Sequence, residues 1–263
     1  MANEIIKYHN DFNNLALKNF NAKELDLLMS LFVIAKNQES NTITLTFQQL
    51  RAISKYKPTA NSRFVKDLER TNDKLLNLKF KAISEDKSVI SQFVLFTIFD
   101  IFLDDEIVKI AVNERFKWIL NSLTSQFTRF ELEEFVNLKS QYSKTCYKCL
   151  KQFRITGCWC IEIDKFRELM DVPKSYGLCD VNKRVLTPIR EELSSIFPKL
   201  QIKKQIRGRG GKVVGLEFSW QAEQVPQHDE RVNSQKKKKQ DSRKEYMQSG
   251  KSYSKKDLFD VFE

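Results

Sequence analysis

Glycine is scarce in this chain, 7 in 263 residues. Three of the seven nevertheless fall in one octapeptide, Gln205-Ile-Arg-Gly-Arg-Gly-Gly-Lys212. A phosphate-cradling P-loop is excluded there, because that motif needs glycine where Gln205 stands and a hydroxyl where Val213 stands. Histidine is scarcer still, with His9 and His228 as its only occurrences. A strand-nicking site built on paired histidines and a tyrosine nucleophile has nothing to work with, so no catalysis and no cofactor are expected. Asp104-Asp105-Glu106 imitates a metal-binding acid cluster, but three adjacent acids between two apolar strands read as a hairpin turn.

Long apolar runs are missing as well. The longest, Phe93–Leu103, is broken by Thr97 and Asp100 and falls far short of the ~18 residues of a membrane span. The N-terminus carries scattered charge and no apolar core, so it lacks the pattern of a secretory signal. The expectation is a cytoplasmic protein with no membrane partner. Cysteines number 5, an odd count that suits reduced thiols better than a disulfide framework. Cys146, Cys149, Cys158 and Cys160 raise a four-thiolate zinc reading. The first two, however, recur with Tyr142, Leu150 and Phe153 at helical spacing, which makes them small apolar core residues, and no metal is expected.

What is present is positive charge, concentrated in one half. Met1–Leu138 balances 18 Lys and Arg against 18 Asp and Glu, whereas Lys139–Lys212 holds 17 against 7. A field confined to one stretch points to a polyanionic partner at that stretch.

The pattern of elements repeats. Residues 41–83 predict a short strand with Ile43 and Leu45, a helix opening at Thr46, a turn at Lys57-Pro58 and a longer helix through Phe64, Leu68 and Leu75. Residues 158–206 predict the same order: a strand with Ile161 and Ile163, a helix capped by Asp164, a turn at Val172-Pro173 and a longer helix from Asp180 to about Ile196. Helical segments precede each copy, Asn21–Lys36 with Leu25, Leu28, Met29 and Phe32 inward, and Phe130–Phe153. Each copy ends in a hairpin. The first joins Ser88–Phe102 to Ile107–Val112 through the acidic turn; the second alternates Leu200, Ile202 and Ile206 with polar residues and returns through Val214, Leu216, Phe218 and Trp220.

Helix, strand, helix, helix, hairpin is the order of a winged helix. The expected fold is therefore α+β with two tandem winged-helix domains, residues 1–125 and 126–220, followed by a disordered basic tail over 221–263. The octapeptide becomes the tip of the second wing, where glycines permit positive φ and close approach to a phosphate. Arg207, Arg209 and Lys212 supply its charge. On the second long helix, at about 100° per residue, Val185, Leu186, Ile189 and Leu193 gather on one side. Lys183, Thr187 and Arg190 gather on the other, with Arg184 at its edge. Such side chains pair with guanine edges or meet a thymine methyl in a major groove, so double-stranded DNA is the expected partner. Pro188 should kink or split this helix near Thr187. The first long helix exposes Arg63, Lys66 and Arg70, but Asp67 and Asp73 share that side, which predicts weaker contacts confined to phosphates.

Three runs carry a likeness: Leu138–Phe153 (LKSQYSKTCYKCLKQF), Phe166–Tyr176 (FRELMDVPKSY) and Lys183–Leu193 (KRVLTPIREEL). They resemble the Rep superfamily of plasmid replication initiators, which bind iterons, the short direct repeats of a plasmid origin. The likeness spans about residues 5 to 220 and departs where Cys146 and Cys149 replace larger aliphatics. It implies that the second domain reads an iteron through Lys183, Arg184, Thr187 and Arg190. It also implies a homodimer through the N-terminal domain, monomers that initiate and dimers that repress their own promoter. The implied partners are the host initiator and the replicative helicase. The tail's Lys255–Phe259 distantly resembles a sliding-clamp-binding motif. A winged-helix transcriptional regulator without an origin role is the alternative.

Overall fold

The computed structural model describes residues 5–36, 42–58, 60–78, 80–83, 90–114, 127–208 and 211–224. Arg209, Gly210, His228 and the tail from residue 225 onward lie outside the described residues.

The first copy is built from α1 (Ala22–Lys36), β2 (Thr42–Thr46), α2 (Phe47–Ile53), α3 (Asn61–Asn77), β5 (Phe96–Phe102) and β6 (Ile107–Val112). The second is built from α5 (Gln141–Gln152), β8 (Cys158–Glu162), α6 (Ile163–Leu169), α7 (residues 178–193), β9 (Gln201–Arg207) and β10 (Lys212–Ser219). Both form a three-stranded antiparallel sheet with the same strand order, β2-β6-β5 in one and β8-β10-β9 in the other. The repeat expected from the sequence is thus a repeat of topology, with the returning strand of each hairpin in the centre. Two winged-helix domains in tandem result.

Four strands lie outside the repeat: β1 (Ile5–His9), β3 (Phe80–Ile83), β4 (Ile90–Phe93) and β7 (Phe127–Glu131); α4 (Leu132–Asn137), also outside it, links β7 to α5. The expected strand Ser88–Phe102 is two strands: β4 pairs with β3 and β5 with β6. Only two residues separate β4 from β5, and the buried Leu95 and Phe96 dock there. The expected helix Phe130–Phe153 is likewise divided. Leu138 leaves α4 in an extended conformation, and the Ser140 hydroxyl accepts from the N–H groups of Tyr142 and Ser143 to open α5 afresh. The N-terminus forms β1, antiparallel to β7 with Ile6 opposite Phe130 and Tyr8 opposite Thr128. This pairing spans the division expected at 125/126.

The helix α1 is the mast of the molecule. Besides Leu25, Leu28, Met29 and Phe32, it buries Leu27, Leu31 and Val33, so it is apolar nearly all round, as a helix packed on several sides must be. It meets α2 and α3 on one flank and α4 and α5 on another. Tyr8, Phe12 and Phe130 close its end, Tyr8 lying 5.2 Å from Phe12 and 6.0 Å from Phe130 by ring centroids. Cys146 and Cys149 are fully buried on α5, as their spacing implied. Burial raises both thiols, Cys149 to about 12. Among the described residues no group of three or more His, Cys, Asp or Glu is placed to hold a metal, and no helix is long and apolar enough to cross a membrane.

Two of the polar links between the copies start in the loop before α1. The N–H of Asn19, in the loop before α1, donates to Oδ2 of Asp171 after α6, and Lys18 lies 3.7 Å from Glu168. The same loop is held from α3, where Lys74 Nζ donates to the Asn19 carbonyl at 2.6 Å and to Glu24.

Candidate nucleic-acid interface

The second helix-turn-helix begins with α6. Its N-cap is Glu162, whose side chain makes no cap bond, and Asp164 sits inside the first turn. The expected cap at Asp164 is therefore displaced by two residues, because the strand stops at Glu162 and Ile163 already belongs to the helix. An acid in the first turn still complements the helix dipole. Asp171 turns the chain with a left-handed φ of 52°, and Pro173 follows. Arg167 donates to the Tyr176 carbonyl, fixing the turn against α6 before α7 starts.

The helix α7 is composite. A turn over Leu178–Asp180 leads into a π-helical stretch Val181–Leu186 and then an α-helix Thr187–Leu193 with Pro188 in its first turn. The split expected near Thr187 is there. Pro188 offers no N–H, so the wider π turn and a fresh α start spare the backbone an unmet bond. Val181, Val185, Leu186, Ile189 and Leu193 are all buried, and the helix packs on α5. Asn182, Lys183, Arg184 and Arg190 are exposed.

Thr187 is only half-buried to half-exposed, not free. Its hydroxyl donates at 3.0 Å to the Asn182 carbonyl five residues back, a partner that exists because the turn is π-helical. Only its methyl remains to meet a base. Arg184 is held in place: its guanidinium lies 5.1 Å from the Tyr176 ring and its Nε 3.4 Å from Asp180. Glu192 faces away from this surface, accepting the N–H groups of Lys139 and Ser140 at the start of α5 at 2.8 and 3.2 Å. Glu191, beside Arg190, is the exposed acid that shares the outer face with these cations.

The wing follows this helix in the chain. Its strands β9 and β10 pair from Gln201–Ser219 to Arg207–Lys212, with a bulge on β10 between Val213 and Gly215. Extra twist at a bulge re-aims the tip. Gly208 and Gly211 turn it with φ of 78° and 67°, values a side-chain-bearing residue rarely adopts. Arg207 and Lys212 are exposed on either side. Lys203 and Lys204 are exposed as well. The alternation pattern had hidden Lys204 and the helix wheel had hidden Asn182; the adjacent lysine pair, which breaks strand alternation, was the available signal.

The first copy differs. Arg63 and Lys66 are exposed on α3. Asp67 is buried, however, and does not share their side. It accepts from the Tyr56 hydroxyl at 2.5 Å, and Arg70 reaches it at 3.5 Å and Glu24 at 3.9 Å. Burial and the Asp67 carboxylate together push the Tyr56 phenol up to about 12. Arg70 is thus partly spent inside its own module. The first wing turn, Asp104-Asp105-Glu106, is anchored by Glu106, whose carbonyl accepts from Phe47 N–H and whose carboxylate accepts from Asn61. Beside it Phe102 and Leu103 are exposed, so this tip is acidic and apolar where the second is cationic.

Residues 5–151 match the family described as "Initiator Replication protein, WH1", and residues 162–220 match "Initiator Rep protein, WH2". A curated relative, the "Probable replication protein rep" of Bifidobacterium longum (strain NCC 2705), is 39% identical over 234 residues. The match covers 88% of this chain and 77% of the relative. Among solved structures, the Pi initiator protein in complex with iteron DNA superposes with a TM-score of 0.65 at 15% identity, over 86% of this chain and 100% of that one.

Proposed function

The chain belongs to the initiator replication protein family, with both its WH1 and WH2 modules, and from that premise we infer that it starts plasmid replication by binding directly repeated sites at an origin. The observation that carries this reading is the outer surface of α7. It presents Asn182, Lys183, Arg184 and Arg190, with Glu191 as the exposed acid among them, and its apolar residues are turned inward. The same module carries a wing tip flanked by the exposed Arg207 and Lys212.

On this reading α7 enters a major groove, where Lys183, Arg184 and Arg190 meet base edges, guanine above all, and the Thr187 methyl meets a thymine. Arg207, Arg209 and Lys212 grip the backbone and set the register. Arg63 and Lys66, with Arg70 contributing less, touch phosphates of the neighbouring turn. The first module, with its acidic and apolar wing turn, serves protein contacts. It forms the homodimer that represses the chain's own promoter, while the monomer occupies the repeats. The host initiator and the replicative helicase are further partners, and the C-terminal tail is a candidate sliding-clamp contact. No strand-cleavage step belongs to this reading, and the protein works in the cytoplasm.

Footprinting on the DNA flanking the gene tests it. Two tandem modules span about two helical turns, so protection should recur on direct repeats of ~20 bp. Protection indifferent to base order, or confined to a lone inverted repeat at the promoter, would overturn the origin role.

A further inference from the structure

Ile206 is out of place by the ordinary rules of a soluble surface. Its side chain is 63% exposed, more than any other large apolar side chain among the described residues. It stands one residue before Arg207 at the end of β9. Isolated exposed apolar residues are common, so exposure alone decides nothing. Position adds the argument. Within β9, Ile202, Lys204 and Ile206 share one face, because side chains alternate. Ile202 is half-buried opposite Phe218, and Phe218 packs 6.1 Å from Phe166 of α6. Lys204 and Ile206 continue that face, and both are exposed. The wing therefore carries an exposed apolar side chain among the exposed cations Lys204, Arg207 and Lys212 of the same strand pair. In the second module one other large apolar side chain is exposed among the described residues, Leu178 at 46%, and it stands at the start of α7.

We propose that Ile206 is a DNA-contact residue: it packs against the deoxyribose wall of the groove beneath the wing while the cations around it hold the flanking phosphates. This rests on the reading of the chain as an origin-binding initiator. A surface ringed by cations selects a polyanion as its occupant, and the sugar walls of a duplex groove are the apolar surface that a polyanionic backbone encloses. Such a contact contributes affinity without displacing counterions, so its share of binding persists at high salt, where phosphate contacts fade. It also gives the isoleucine at position 206 a role that strand preference alone does not, since threonine would satisfy that preference equally.

The test is Ile206→Thr in the full-length chain, titrated against a duplex carrying the repeat at four salt concentrations, beside Arg207→Ala. For Ile206→Thr the expected result is affinity about 5- to 10-fold lower at every salt concentration, from the apolar area returned to water, with the slope of log affinity against log salt unchanged. Arg207→Ala should flatten that slope by about 1. An unaltered affinity for Ile206→Thr, or a loss that appears only through a flatter slope, overturns the inference. A wild-type protein that binds scrambled duplex as tightly as the repeat overturns the origin reading; preference for the repeat with an indifferent Ile206→Thr sinks only the contact proposed here.

Discussion

Asn19 and Asp171 are joined across the two modules by a single bond, the Asn19 N–H donating to Asp171 Oδ2 at 2.7 Å, and both residues hold left-handed backbone, φ 64° and 52°. Through Lys74, the same loop is fastened to α3. One end of the link is therefore the long helix of the first module and the other is the turn that aims α7. Exposed links of this kind contribute little to stability, within about 1 kcal/mol. Their effect is on relative placement. For Asp171→Ala, thermal unfolding should be nearly unchanged, while insertion of one base pair between the two half-sites should cost less affinity than it costs the wild type. Equal penalties would show that Asp171 has no part in spacing.

Lys144 on α5 reaches Asp26 on α1 at 2.5 Å and the Phe135 carbonyl at 2.7 Å. Burial pushes both groups toward their neutral forms, raising the carboxyl and lowering the ammonium, and each partner opposes the shift of the other. Removing one member leaves a buried charge unmatched. Asp26→Ala should cost about 3–5 kcal/mol in denaturant unfolding. Asp26→Ala combined with Lys144→Met should recover part of that loss; a purely additive double variant would rule out coupling.

Lys148 is buried, its ammonium lacks a hydrogen-bond partner among the described residues, and it lies 5.1 Å from the Phe12 ring centroid. Burial lowers it from 10.5 to about 8. Below pH 8 folded and unfolded chains both carry the proton and the folded chain bears the whole desolvation cost. Between about 8 and 10.5 only the unfolded chain keeps the proton, so stability rises with pH through that window. Lys148→Met should be more stable than wild type by about 1–3 kcal/mol at pH 7, with the gap closing as pH rises. A gap independent of pH would assign the effect to packing instead.

Arg190→Ala should relax preference at one position of the bound site by about 1–3 kcal/mol of discrimination, measured by competition among single-substituted duplexes. A uniform loss on all of them would mark Arg190 as a phosphate contact.

Replacing both Arg207 and Lys212 by alanine should reduce the slope of log affinity against log salt by up to ~2. An identical slope would remove the wing tip from the interface.

The second module was largely legible because its residues obey one rule each. Val185, Ile189 and Leu193 mark a buried face by period, Pro188 marks a break, and Gly208 and Gly211 mark a tip. The first module was less so. Asp67 looks like a surface acid on any wheel, and only the approach of Tyr56 and Arg70 takes it inside. The π-helical stretch was invisible because periodicity assumes one pitch, so Thr187 was placed further toward solvent than it stands. Strand β1 is short and pairs with residues more than a hundred positions away, a partner no local pattern can name.

That last pairing bears on how the protein is made. Ile5–His9 leaves the ribosome well before its hydrogen-bonding partner Phe127–Glu131, which must still be translated and must clear the exit tunnel. During that interval Ile6 and Tyr8, which end fully enclosed, are sticky residues on a nascent chain. Native pairing of such sequence-distant segments is slow, and elongation at about 5–20 residues per second sets a floor of several seconds before it can begin. Chaperone dependence, and sensitivity to insertions just ahead of Ile5, should therefore concentrate at this strand.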